Sequence, residues 1–462
     1  MRRVYTALIL AAGCGEPDQH QTSKPLAPVE QFKSWLTDQG YFVQDGAFGF
    51  SSYSHCCEPD ANCFGNNPST PYGTVFLPEG PGQAHEDHDW FSGFGDPPEP
   101  GLSRSFHLRS DEAILFIGRT PPPAKYFSFR SYLGSRRDIR TDQEQLVLGS
   151  LGPSLSSQSL GRTYDTTDVF DKSLHILTTL DRSVERDLVH GMEVSGLEAD
   201  FLALDGVSPF LVRTGLQPEA DTFFTLTRIA IPEDPEADQA YRDDPGAQVL
   251  RITPQVPRVL LEPHTSAGLP PRGSGTDEGA WEEALDRLQD AITAHWADQT
   301  ATEIDVVPYW FETYACIDNI TCAGEIRDRF TAVASPFQLN DDAPHAVVFG
   351  VNHERTGKAT YSSFSLQTYE GQIGIESVDS TQMPGSAAFY LPDEPLVDDL
   401  YAWTLSRDCS AREESCLEVP ETCPGIPLGA SIKITVRAYL EPTTGAAPTP
   451  QELLGDRMLR FE

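Results

Sequence analysis

Positive charge is what this chain has least of. Its 462 residues carry 33 lysines and arginines against 69 aspartates and glutamates, a formal net charge of −36 with histidine neutral. A surface that acidic repels phosphate backbones and anionic head groups, which excludes nucleic acid as a partner. It reads as a solvated acidic surface, suited to a saline habitat or to binding Ca²⁺ and other cations. The short signatures of common chemistry are missing too. There is no GxSxG, SxxK, HExxH, GxxxxGK[ST] or GxGxxG, so the usual hydrolase and nucleotide-binding classes lose their support. Asp234-Pro-Glu236-Ala-Asp238 opens like a calcium loop, but Gln239 stands where the loop needs glycine and Pro245 stands at its twelfth position. The segment reads as a solvated acidic loop.

The apolar stretch Val4 to Ala12 is too short to cross a bilayer, which takes about 20 residues. It follows the basic pair Arg2 and Arg3 and leads through Ala11, Ala12 and Gly13 into Cys14. A short basic region, a brief apolar run and small residues before a cysteine form an export signal resembling a bacterial lipobox. The leucine usual three residues before the cysteine is here one place early, at Leu10. Residues 1–14 are therefore expected to be a signal peptide ending at a lipidated Cys14, and 15–27 a polar tether. This predicts an extracytoplasmic protein anchored to the bacterial cell envelope by lipid, or else secreted.

Without Cys14, eight cysteines remain: Cys56, Cys57, Cys63, Cys316, Cys322, Cys409, Cys416 and Cys423. They cluster among turn formers such as Pro59, Asn62, Gly65, Asn319 and Pro424, and no CxxC pair favours zinc. Loop cysteines in even number point to disulfides. Cys316 and Cys322 are close enough to pair locally. The first and last clusters hold three each, so full pairing needs a bridge between them.

Hydrophobic residues make up 39% of the chain, enough to fill real cores in two or three domains. Val29, Phe32, Trp35 and Leu36 share one face of an expected helix over Pro28 to Gln39, with Gly40 as its stop. Residues 41–110 read as short strands and long loops. Strands are expected at Ala113–Gly118, Lys125–Tyr132, Leu174–Thr179, Thr222–Ile231 and Gln248–Ile252. A Pro-rich run from Pro263 to Pro271 then precedes an amphipathic helix over Asp277 to Asp298, where Trp281, Ala284, Leu285, Leu288, Ile292, His295 and Trp296 recur at helical spacing. Later strands are expected at Asp305–Tyr314, His345–Gly350, Thr360–Thr368, Ser386–Leu391 and Ile432–Tyr439. The predicted fold is α+β but mainly β. It has a β-rich N-terminal domain (28–260), a linker with the amphipathic helix (261–300) and a β-rich C-terminal domain (301–462), each domain sandwich-like and stapled by disulfides.

The two halves echo one another. PPAKYFSFRSYL at 122–133 and TGKATYSSFSLQTY at 356–369 each place a lysine, then aromatics and serines, then a closing tyrosine. Together with NHERTGKATYSSFSL (352–366), MPGSAAFYLP (383–392) and RAYLEPTTG (437–445), these strings resemble an uncharacterised family of exported bacterial and algal proteins. That resemblance implies no reaction.

Candidate sites are few. His85, Asp87 and His88 form a dense patch able to ligate a divalent metal such as calcium or zinc. His345 and His353, with Asn352 and Glu354, flank the short apolar strand Ala346–Val351 and are candidate general bases. Arg130 and Tyr132 suit an anionic substrate if they face a cleft. The aromatic run Tyr309-Trp310-Phe311 suits a partner surface if exposed. With disulfides, an acidic surface and no catalytic signature, the expected function is that of a lipid-anchored binding or surface protein. The alternative is an extracytoplasmic metal-assisted hydrolase or lyase built on the histidines.

Overall fold

The computed structural model describes residues 27–53, 55–58, 63–83, 92–265, 268–309, 314–322, 324, 327–340 and 344–462. The expected signal peptide, Cys14 and nearly all of the tether lie outside them, as do His85, Asp87 and His88.

Strands dominate, as the alternating pattern predicts. The first half contains β1 (Tyr41–Phe50), β2 (Tyr72–Pro78), β3 (Leu102–Ser103), β4 (Ala113–Arg119), β5 (Ala124–Asp138), β6 (Gln143–Ser150), β7 (Leu155–Ser156), β8 (Ser173–Thr179), β9 (Phe201–Gly206), β10 (Thr222–Pro232) and β11 (Gln248–Pro254). Its helices are α1 (Pro28–Asp38), α2 (Ser157–Tyr164), α3 (Arg182–Val194) and α4 (Pro235–Asp243). The second half begins with α5 (Glu282–His295), has a short α6 (Ala315–Asn319), and contains β12 (Ala301–Glu303), β13 (Val306–Pro308), β14 (Arg329–Ala334), β15 (His345–Val351), β16 (Tyr361–Thr368), β17 (Gly374–Asp379), β18 (Leu400–Ser406), β19 (Cys416–Glu418), β20 (Ile432–Tyr439) and β21 (Arg457–Phe461).

The first-half strands form one sheet in the order β6-β5-β10-β2-β1-β11-β4-β8-β9, with β3 beside β2 and β7 beside β5. The second half forms two sheets, β13-β14-β20-β16-β17 and β12-β21-β15-β18-β19. The orders are the same once each strand is matched by its place in the chain. β2 corresponds to β14, β4, β5 and β6 to β15, β16 and β17, β8 and β9 to β18 and β19, and β10 and β11 to β20 and β21. In both halves the last pairing, β8 with β9 and β18 with β19, is parallel.

One strand makes the difference between one sheet and two. β1 bonds to β11 through Tyr41–Gly46 and to β2 through Ala47–Phe50, so a single strand joins both ladders. At the switch, a Cβ on Gly46 would lie 2.5 Å from the Phe76 carbonyl oxygen, a distance only glycine permits. In the second half β1 is replaced by the two short strands β12 and β13, paired to β21 and β14 respectively, and the sheets separate.

The helices cover the outer faces. Phe32 and Leu36 of α1 and Val184, Leu188 and Met192 of α3 are buried against Leu115, Leu177, Leu250 and Ile252. Gly191 sits inside α3, where glycine costs about 1 kcal/mol relative to alanine. The Trp35 ring explains it: a Cβ there would come within 2.2 Å. In the second half Ala284, Leu285, Leu288 and Ile292 of α5 pack on Val347, Phe349 and Val351. The crossover from β18 to β19 has no counterpart of α3; the disulfide Cys409–Cys416 closes that loop instead.

Two sequence expectations are corrected. Ser386–Leu391 is not a strand; Ser386–Phe389 is a 3-10 turn that follows Gly385 at φ 82°, and the Ser386 hydroxyl donates to the Met383 carbonyl at 2.6 Å. A short apolar run carries no period that separates strand from turn. The acidic segment at Asp234 is the start of α4, not a loop. The Asp234 carboxylate accepts from the Glu236 and Ala237 amides, with Pro235 in the first turn.

The remaining disulfides are Cys56–Cys63, Cys316–Cys322 and Cys57–Cys423. The last joins residues 366 positions apart, one from each half. Cross-links over long loops restrict the unfolded chain most, so replacing both Cys57 and Cys423 by serine is expected to cost about 2–4 kcal/mol in urea unfolding. An unchanged urea midpoint in oxidised protein would show that the bridge holds nothing.

Candidate functional site

The two halves meet through the β5/β10 and β16/β20 strand pairs. Tyr126, Tyr361 and Tyr439 are buried there, with ring centroids 5.8 Å apart for Tyr126 and Tyr361, 5.0 Å for Tyr126 and Tyr439 and 4.5 Å for Tyr361 and Tyr439. Beside this cluster opens a cavity of about 400 Å³ lined by both halves. Part of its wall is a loop of the first half laid on the second. The Cys63 and Gly65 amides donate to the carbonyls of Gly371 and Gln372, at 2.9 and 2.8 Å, and the Gly374 amide donates to the Asn66 side chain at 2.7 Å.

The lining inverts the charge of the protein. Arg104, Arg228, Arg329, Lys433 and Arg437 all face the cavity, and among the described residues no aspartate or glutamate lines it. Arg228, 3% exposed, is gripped by rings: its guanidinium lies 5.6 Å from the centroids of both Tyr72 and Tyr132. Among the described residues its Nε and Nη1 meet no acceptor. Arg437, equally buried, donates from Nη1 to Ser365 at 2.6 Å and from Nη2 to the Gly65 carbonyl at 2.5 Å. Arg329 donates to the Gly324 carbonyl at 2.9 Å, and among the described residues the Nε of each of these two meets no acceptor. The carboxylate nearest the tyrosine cluster, Asp328, accepts from the Tyr126 and Ser154 hydroxyls at 2.5 and 3.2 Å.

These charges act on their neighbours. Burial lowers the pKa of Lys433, and the Arg437 charge lowers it further. Burial works against ionising Tyr439, yet the guanidiniums of Arg329, Arg437 and Arg228 outweigh it and bring that phenol below the usual tyrosine range. Tyr132 is pushed by burial up to about 12, against the pull of Arg228. Guanidiniums held by rings, hydroxyls and backbone carbonyls, as Arg228, Arg329 and Arg437 are, keep their positive charge available to an anion.

The residues singled out in the sequence fall in different places. Tyr132 lines this cavity. Arg130 lines a second cavity of about 450 Å³ inside the first-half sheet, where its Nη1 meets Asp205 at 3.0 Å and the Pro153 carbonyl at 2.6 Å. Tyr309 stands at the rim of the first cavity, half exposed, while Trp310 and Phe311 lie outside the described residues. His345 and His353 end the same strand but do not share a site. His345 packs against the Trp296 and Phe461 rings at 4.3 and 5.2 Å. His353 lies 2.8 Å from Glu278 and 3.9 Å from Asp456, all three buried. Among the described residues no group of three or more His, Cys, Asp or Glu side chains is placed to hold a metal ion.

Arg228, Arg329, Lys433 and Arg437 were not recognised from the sequence. A lone arginine in an apolar strand, as in Thr225-Leu-Thr-Arg228-Ile-Ala230 or Thr435-Val-Arg437-Ala438, was the available signal, because a buried cation is rare without a reason.

No family model and no curated protein matches this chain. Among solved structures it is similar to an uncharacterised protein from Burkholderia cenocepacia, with 13% identity and a TM-score of 0.40 over 95% of this chain and 91% of that one. It is more distantly similar to the N-terminal CBM22-1-CBM22-2 tandem domain of Xyn10C from Paenibacillus barcinonensis, with 9% identity and a TM-score of 0.14 over 92% and 85%. Neither likeness bears on function.

The histidine pair makes a pH prediction. Burial alone would depress His353, but Glu278 and Asp456 outweigh it and raise its pKa to about 10. An unfolded histidine titrates near about 6.5. Its stabilising contribution is therefore complete below about pH 6.5 and is lost as pH rises towards about 10. His353→Gln is expected to cost about 3–5 kcal/mol at pH 6, since it leaves buried Glu278 without its cation. Thermal unfolding between pH 6 and 10 should decline with pH in the parent and lose much of that slope in the variant. Parallel curves would show that His353 is neutral in the fold.

Proposed function

We propose that this protein is an extracytoplasmic binding protein that captures a small organic anion in the cavity between its halves. The observation that carries the reading is Arg228, buried and, among the described residues, without a carboxylate partner, in a cavity with four further cationic side chains and no described aspartate or glutamate in its lining. A buried, unpaired cation costs stability, so a fold that keeps several around one cavity has a reason other than stability. An acidic exterior around a cationic interior also suits selectivity: the surface field discourages polyanions, while short-range donors reward one compact anion that fits. Four disulfides fit an oxidising compartment outside the cytoplasm. Lipid anchoring through Cys14 completes the reading, and palmitate labelling of wild type against Cys14→Ser tests that part.

Anion capture is tested by calorimetry and thermal shift at low ionic strength with a panel of carboxylates, sulfonates and phosphates. A ligand at 100 times its Kd stabilises the protein by about 2.7 kcal/mol. Arg228→Gln or Arg437→Gln is expected to weaken binding at least tenfold, or about 1.4 kcal/mol. Removing an uncompensated charge should leave the thermal midpoint of the ligand-free protein unchanged or raised. A panel in which no anion binds, or an Arg228 variant that binds as well as wild type, would overturn the proposal.

A further inference from the structure

The two halves repeat one another down to single side chains, and the cavity lies where the repeats face each other. In β10 Arg228 pairs with Ser128 of β5, and Ala230 with Tyr126. In β20 Arg437 pairs with Ser363 of β16, and Tyr439 with Tyr361. Three residues beyond each arginine the backbone turns left-handed, at Ile231 (φ 55°) and Leu440 (φ 39°). Few non-glycine residues adopt that conformation, so its recurrence at one register position fixes the alignment of the repeats. Tyr126 and Tyr361 are counterparts, and their rings meet. Contact between a residue and its own counterpart is the mark of a two-fold relation.

The alignment pairs the cavity walls. Arg228 matches Arg437. Two residues earlier Leu226 matches Thr435, and two earlier still Phe224 matches Lys433. Across the strands Tyr132 pairs with Phe224 as Gln367 pairs with Lys433, so Tyr132 matches Gln367. All eight line the cavity. Only the arginine is the same on both sides. Each other pair has an apolar or aromatic member in the first half and a polar or cationic one in the second. Tyr132 and Phe224 stack with centroids 4.8 Å apart and planes 18° apart, which presents a continuous aromatic wall opposite Lys433, Thr435 and Gln367.

Building on the anion-binding reading, we infer that the ligand is an aromatic acid, a carboxylate or sulfonate on a flat apolar body. Its acid group lies against Arg437 and Lys433, and its ring against Tyr132 and Phe224, with Arg228 serving both. A purely polar anion would waste the aromatic wall, and a neutral aromatic would leave the guanidiniums unpaired.

The test uses the intact oxidised protein and four probes: 2-naphthoate, 2-naphthol, succinate and sulfate. 2-Naphthoate is expected to bind at least tenfold tighter than each of the others. Phe224→Leu keeps an apolar side chain, and its thermal midpoint verifies folding. It should weaken 2-naphthoate about two- to tenfold, the worth of one aromatic contact, and leave sulfate unchanged. Lys433→Gln should weaken both anions. Succinate or sulfate binding as tightly as 2-naphthoate, with Phe224→Leu silent, overturns the aromatic-acid inference and leaves anion capture standing. Equal binding of 2-naphthol and 2-naphthoate overturns it from the other side. No binding of any anionic probe defeats both.

Discussion

A guanidinium cannot shed its charge, so a protein that buries one without a carboxylate must find other means to hold it. Around Arg228 the means is aromatic: two tyrosine rings clasp the cation, and a second pair, Tyr361 and Tyr439, closes the interface beside it. Around Arg437 it is a hydroxyl and a backbone carbonyl. Such contacts stabilise less than an ion pair would. They leave positive potential projecting into the cavity. The tyrosine-rich seam, the loop of the first half that covers the second and the bridge Cys57–Cys423 all serve to keep these two strand pairs face to face.

Several buried cations elsewhere in the protein meet carboxylates. Arg251 is fully buried with Glu112 at 3.0 Å, Arg136 meets Asp221 at 2.6 Å, and Lys358 meets Glu441 and Glu452 at 2.6 and 3.1 Å. Among the described residues, carboxylates meet Arg251, Arg136 and Lys358 but none is placed against Arg228, Arg329 or Arg437.

Most strands were legible because their alternation is regular. Ile432–Tyr439 was read to the residue, and Thr222–Ile231 to within one. β5 was read only as far as Tyr132, because Arg136 and Arg137 break the pattern; the buried Asp221 that pairs with Arg136 lies 85 residues away, beyond any local signal. α3 had a signal that went unused: Asp181 as cap, then Val184, Leu188 and Met192 at helical spacing, obscured by Gly191. The cavity was least legible, since it is assembled from β2, β5, β10, β14, β16 and β20 and exists only once both halves are folded. The serine and tyrosine echo between residues 122–133 and 356–369 and the lone arginines of apolar strands were its traces in the sequence, and Tyr132 and Tyr309 were the lining residues singled out there for binding.

The described residues of the loop carrying Cys56, Cys57 and Cys63 belong to the first half by chain and bond to both halves. Neither half is therefore a self-sufficient module in the way its strand order suggests. Cut at the Pro-rich run before α5, the second half would lose one wall of the cavity and a partner for the edge of β17, while the first would keep a cystine loop without its contacts to Gly371, Gln372 and Gly374. The crossed strap gives the two halves one wall in common, so a change in the loop of the first half is felt in the second.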